Sequence, residues 1–212
     1  MTLSFLYGLL FLATWRILRL TPPADLSADA RRRWLWPVAI IAIVIAGSVA
    51  ELLHPRLEQA WERSAAAIDR GELWRLVTSY LVQGGGVWGM AFNLITLVIT
   101  ALLAAQVFGR ALGPAVWVVG GTVGNLLALT LGFPDGAGSS LATMTLAVAA
   151  AVTAAPLVTR SGRFALGVLA VVGPALVVLR DEHAIAVVLG GILGIVLLVS
   201  RRPRRQVPRP AR

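Results

Sequence analysis

Residues 85–107 read GGVWGMAFNLITLVITALLAAQV, 23 positions without a charged side chain. About 20 such residues, wound into a helix, cross the ~30 Å hydrocarbon core of a bilayer. In lipid a helix is also the conformation that satisfies its own backbone N–H and C=O groups. Comparable apolar runs occur on either side, at 34–53, 113–132, 139–158, 164–179 and 184–199. Composition agrees: the 212 residues are 58% hydrophobic and 14% charged, with a mean hydropathy of +0.81. A soluble domain of this length has too much surface to hide that share of apolar side chains. The pattern predicts an all-α membrane protein with six transmembrane helices. The spacings Gly120-x3-Gly124 and Gly190-x3-Gly194 predict close helix packing. With no cysteine there is no disulfide framework, thiolate zinc site or Cys nucleophile.

The net charge of +9 comes from 19 arginines and no lysine, a usage that points to a GC-rich bacterial genome. With Arg31, Arg32 and Arg33 placed in the cytoplasm and six spans alternating, Arg16, Arg19, Arg110, Arg160, Arg163 and the tail arginines from Arg201 to Arg212 fall on the same side. That side then holds 14 Arg against Asp25 and Asp29, and the other holds five Arg against eight acids. This is the positive-inside bias of a plasma-membrane protein with a cytoplasmic C-terminus. The basic excess is therefore read as topology and contact with lipid headgroups, and nucleic acid is excluded as a partner.

The chain divides into an N-terminal hydrophobic segment and linker (1–33), a membrane domain (34–199) with an outer loop at 54–84, and an Arg/Pro-rich cytoplasmic tail (200–212). In the first part, LSFLYGLLFLATW at 3–15 precedes Arg16 and Arg19. A signal peptide carries its charges ahead of the apolar stretch, so this one is read as an interfacial helix or a seventh span. In the outer loop Leu57, Trp61 and Ala65 recur at helical spacing, predicting one short amphipathic surface helix. Trp61 and Trp74 suit the headgroup level.

Four segments then stand in order: GELWRLVT at 71–78, QGGGVWGMAFN at 83–93, GSSLA at 138–142 and LGGILG at 189–194. They resemble, respectively, the GEWWRLLT-like, HGGWLHLLFN, GxSG and AHLGGLLxG segments of rhomboid intramembrane serine proteases. The order and helix spacing agree over about 34–199. The resemblance implies a rhomboid-like bundle. Apart from it, two histidines as distant as His54 and His183 suggest no metal site, and without a P-loop or dinucleotide fingerprint no cofactor is expected. The resemblance also implies a serine nucleophile on the fourth helix, a histidine base on the sixth, and a histidine and an asparagine on the second that stabilise the oxyanion. Such chemistry needs nucleophile and base about 2.6–3.2 Å apart and donors converging on the developing charge.

Carried over residue by residue, Ser140 matches the nucleophile and Asn93 the oxyanion asparagine. Gln83 stands at the first histidine of the second helix, Gly89 at the second, and Leu141 replaces the glycine after the nucleophile. Serine is also a favoured helix cap, a structural role open to Ser139 and Ser140. Asn93 and Asn125 can equally serve as interhelical hydrogen-bonding glue. The position of the base, two residues before Gly190, holds Val188, which accepts no proton. The nearest imidazole, His183, lies five residues earlier, about 7.5 Å along a helix and about 140° around it. Asp181 and Glu182 flank it, so an Asp–His–Ser relay is conceivable. His54, the other histidine, reads as surface.

Val188, Gly89 and Leu141 favour a catalytically degenerate rhomboid-like protein that binds transmembrane segments of other membrane proteins. The alternative is an active intramembrane serine protease using Ser140 with the shifted base His183. A small transporter ranks below both, because no span carries a charge at its middle.

Overall fold

The computed structural model describes residues 2–21, 32–157 and 160–200. The linker read at 22–31 and the arginine tail at 201–212 lie outside them. Every regular element among the described residues is helical: α1 (Thr2–Leu20), α2 (Leu35–Leu53), α3 (Arg56–Trp61), α4 (Ala65–Asp69), α5 (Arg75–Thr78), α6 (Gly86–Thr130), α7 (Ser140–Ala154), α8 (Arg160–Val178) and α9 (His183–Ser200). Five helical stretches have the length and apolarity to cross a membrane, and Gly162–Val178 in α8 is a shorter apolar helix.

The 45 residues of α6 would reach about 68 Å if straight, more than twice the hydrocarbon thickness. They do not run straight. Gly109 has φ 66° and ψ −147°, which divides α6 into 86–108 and 110–130. A positive φ of this kind suits glycine, which has no Cβ to clash. The break frees backbone carbonyls, and the Trp36 indole donates to the Gly109 carbonyl at 2.7 Å. Trp36 also lies where a Cβ on Gly113 would stand, 2.3 Å from that point. The expected loop around Arg110 is thus a hinge of one residue.

The centre of the bundle is α7, with 13 of its 15 residues buried. The second half of α6 and α9 sandwich it through the predicted glycines. A Cβ on Gly120 would meet the Thr145 side chain at 2.6 Å, and one on Gly194 the Val152 Cβ at 2.7 Å. At Gly190 an added Cβ would strike the Thr145 carbonyl oxygen at 2.7 Å and the Val148 Cβ at 2.8 Å. Gly190→Ala is therefore expected to destabilise the bundle by about 1–3 kcal/mol, read by denaturant titration in detergent. Gly191→Ala, with nothing within 4 Å of the added methyl, should leave the midpoint unchanged.

Of the two readings open for residues 3–20, packing inside the bundle agrees with the span, and the reading of the outer loop is corrected. α1 packs chiefly on α8, then on α7 and α6, burying Leu10, Phe11, Thr14, Ile17 and Leu18 while Phe5 and Leu12 stay exposed. Trp15 donates to Thr100 Oγ1 of α6 at 3.0 Å. Among the described residues, seven helical stretches thus form the bundle, with the two halves of α6 counted separately. The outer loop, in turn, is not one amphipathic helix. α3 stops at Trp61, and Arg63 then pairs its backbone with Gly136 in an isolated bridge, so Ala65 starts a separate helix. Burial of the Arg63 side chain interrupts the helical spacing that the sequence suggests.

Candidate active site

The turn ahead of α7 is built from glycine and a buried amide. Gly138 has φ +136°, a conformation that L side chains rarely adopt. A Cβ there would also lie 3.1 Å from Asn93 Nδ2. The Gly138 N–H donates to the Ser79 carbonyl at 2.9 Å. Ser139 is fully buried, and its N–H and hydroxyl both donate to Gln83 Oε1, at 3.2 and 3.3 Å. Ser139 stands at the cap position but makes no side-chain cap bond. Ser140, the first residue of α7, is thereby turned the other way.

The Ser140 hydroxyl lies 2.9 Å from His183 Nε2. His183 is the first residue of α9, and α8 reaches it through a tight turn in which Arg180 takes φ 52°. Asp181 accepts from the His183 backbone N–H and contacts Nδ1 through the same oxygen, Oδ1, each at 2.9 Å. Its other oxygen, Oδ2, accepts the Tyr7 hydroxyl at 2.7 Å. Burial by itself would raise the Asp181 carboxyl, but the hydrogen bonds from His183 and Tyr7 outweigh it and hold the group below its ordinary value. An ionised Asp181 only accepts, so Nδ1 carries the imidazole proton and Nε2 is left to accept from Ser140.

The five-residue displacement of the base follows from the helix register. α7 and α9 both start at this end of the bundle, with Ser140 and His183 as their first residues. Gly190 packs against Thr145, Val148 and Ala149, more than one turn deeper. Val188, two residues before Gly190, is 53% exposed and borders a separate apolar cavity with Leu127, Val177 and Ile192. That cavity, about 780 Å³, is the larger one, yet neither Ser140 nor His183 lines it.

Ser140 and His183 open instead into a cavity of about 460 Å³ between α1 and the first half of α6, lined among others by Tyr7, Phe11, Phe92, Asn93 and Met144. Asn93 is buried and borders this space beside Ser140. Gln83 does not. Its expected role as an oxyanion donor is corrected on placement: the side chain is buried behind Ser139, whose N–H and hydroxyl donate to its Oε1, and its donor atom Nε2 is buried and does not reach the cavity, which Gln83 does not line. Gly89 is required where it stands, since a Cβ would sit 2.6 Å from the Gly84 carbonyl oxygen. Leu141 does not crowd the serine. Its Cβ lies 3.5 Å from the Cβ position of Gly124, against the second half of α6.

Asn125, read alongside Asn93, proves structural. Its Nδ2 donates to the Leu76 carbonyl and Ser79 Oγ, and its Oδ1 accepts from Arg63. Arg63 also pairs with Glu182 and donates to the Pro134 carbonyl. Sequence reasoning missed Arg63, which it counted only as loop charge, and Tyr7. The signal for Tyr7 was a lone phenol in an apolar stretch. No family model, curated protein or solved structure matches the chain.

Proposed function

We propose that the chain is an intramembrane serine protease with Ser140 as nucleophile and His183 as general base. The carrying observation is the continuous hydrogen-bonded chain from Ser140 through His183 to Asp181. In the acylation step the Ser140 hydroxyl gives its proton to His183 Nε2 while Oγ bonds to a peptide carbonyl carbon. Asp181 holds the imidazole in its tautomer and stabilises the imidazolium. Asn93, whose carboxamide borders the cavity beside Ser140, would supply a donor to the developing oxyanion. The imidazolium then protonates the leaving amine as the C–N bond breaks. Water, deprotonated by the same imidazole, hydrolyses the acyl-enzyme and restores the serine.

The substrate class follows from the setting. The cavity lies among helices apolar enough to cross a membrane, which suits segments of other membrane proteins that unwind at its mouth. The resemblance to rhomboids in the glycine-rich and GSSLA segments supports the same class. Arg19, Arg33 and Arg110 occupy the opposite helix ends from Ser140 and His183, and with the positive-inside bias this supports a site on the outer face of a bacterial plasma membrane and a cytoplasmic C-terminus. A non-catalytic binder would have the same clients but no use for the hydrogen-bonded chain.

A fluorophosphonate tests the proposal. On the purified full-length chain in detergent it should form one adduct, at Ser140, and none on Ser140→Ala. A folded wild-type sample that takes no label would overturn the assignment.

A further inference from the structure

Resting on the Ser140 reading, we propose that Tyr7 is a positioning residue of the site, so that α1 completes an active centre otherwise built from α6, α7 and α9. One side chain touches both partners of the nucleophile. The Tyr7 hydroxyl donates to Asp181 Oδ2, and its ring lies against the His183 imidazole with centroids 4.4 Å apart and planes at 46°. Asp181 Oδ1 is already engaged by His183. Tyr7 therefore fixes the second carboxylate oxygen and stops the group from turning away from Nδ1. The same ring limits rotation of the imidazole.

The delivery is rigid. Tyr7 sits one turn before Leu10 and Phe11, both buried in the bundle, and Trp15 ties the same helix to Thr100. A phenol here needs a partner for its hydroxyl. Phenylalanine would fill the space equally well, so the hydroxyl is the informative atom.

The charged groups around His183 are few. Asp181 and Tyr7 flank it, Glu182 borders the cavity while paired to Arg63, and the exposed Arg180 lies beyond Asp181. From α6 and α7 come only the uncharged Asn93 and Ser140.

The test is the rate of fluorophosphonate labelling of Ser140 against pH, on full-length protein in detergent. Tyr7→Phe should slow labelling per folded molecule about ten-fold, the scale of one hydrogen bond to a charged group. Its acid limb should move to lower pH, because a carboxylate free to turn away from Nδ1 stabilises the imidazolium less. A purely structural role would lower the fraction of protein that labels at completion and leave the limb in place. In an Asp181→Asn background the Tyr7→Phe effect should vanish, as expected for residues acting as one unit. A labelled wild type with unchanged rate and limb in Tyr7→Phe, or additive effects in the double variant, would overturn the proposal for Tyr7 alone. A folded wild type that takes no label would overturn the Ser140 reading and this proposal with it.

Discussion

His183→Ala is expected to lower the rate of Ser140 labelling, and of any peptide cleavage under the proposed function, by about 10⁴- to 10⁶-fold, the scale seen when one member of a catalytic unit is removed. The size follows from chemistry. The serine hydroxyl is a weak nucleophile until a base takes its proton, and no other imidazole is near, since His54 is exposed in the loop after α2. Adding a histidine at the position expected from the resemblance does not rescue the variant. In His183→Ala/Val188→His the new ring starts from a half-exposed position that borders the other cavity. Stopped-flow or gel-based labelling reads the rate, and a helical spectrum retained in detergent separates lost chemistry from unfolding. The pH profile carries a second check. Asp181 lies below its ordinary carboxylate value in the folded chain, so its stabilising contribution is complete above that value and is lost only as pH falls through the lowered one.

How much of this is legible in the sequence depends on the kind of signal. The long helices were readable because uncharged runs of about 20 residues have one stable fate in lipid, and the glycine spacings named the faces that meet on α7. The Gly109 hinge was half visible. Arg110 marked the right place, but a helix that turns at one glycine looks like a loop in sequence. At the site, Ser140, Asn93 and His183 could all be named, and Asp181 stood beside the histidine. The distance between Ser140 and His183 could not be read, because it depends on how two helices slide past each other. An alignment to a motif anchored on Gly190 pointed to Val188. The packing of Gly190 against Thr145 and Ala149 shows why that anchor sits too deep to place a base beside the first residue of α7. The role of Tyr7 was not readable for another reason: a lone phenol in an apolar stretch hints at a partner, but that partner is 174 residues away, and nothing local distinguishes a surface helix from a packed one when both are apolar.

Arg63→Ala has the largest expected effect on stability, about 3 kcal/mol, measured as the shift of the unfolding midpoint in detergent. Removing one member of a buried pair costs about 3–5 kcal/mol because the other charge is left without compensation. The low end applies because the Arg63 side chain is 4% exposed but its partner Glu182 is 26% exposed and keeps some water. The guanidinium joins three parts of the chain: Asn125 in α6, the Pro134 carbonyl ahead of α7, and Glu182 ahead of α9. Losing it leaves Asn125 Oδ1 without its donor and Glu182 ionised in the cavity next to His183. The two helix starts that carry nucleophile and base are then no longer tied together, so labelling per folded molecule should fall as well. Arg63→Lys keeps the charge, yet an ammonium lacks the planar fork that reaches all three acceptors, and it should recover only part of the loss. Arg70→Ala is the matched control. Arg70 also pairs with a glutamate, but its side chain is 63% exposed, and surface pairs of this kind contribute little. If Arg63→Ala shifted the midpoint no more than Arg70→Ala, the network around Arg63 would not be what holds the site end of the bundle together.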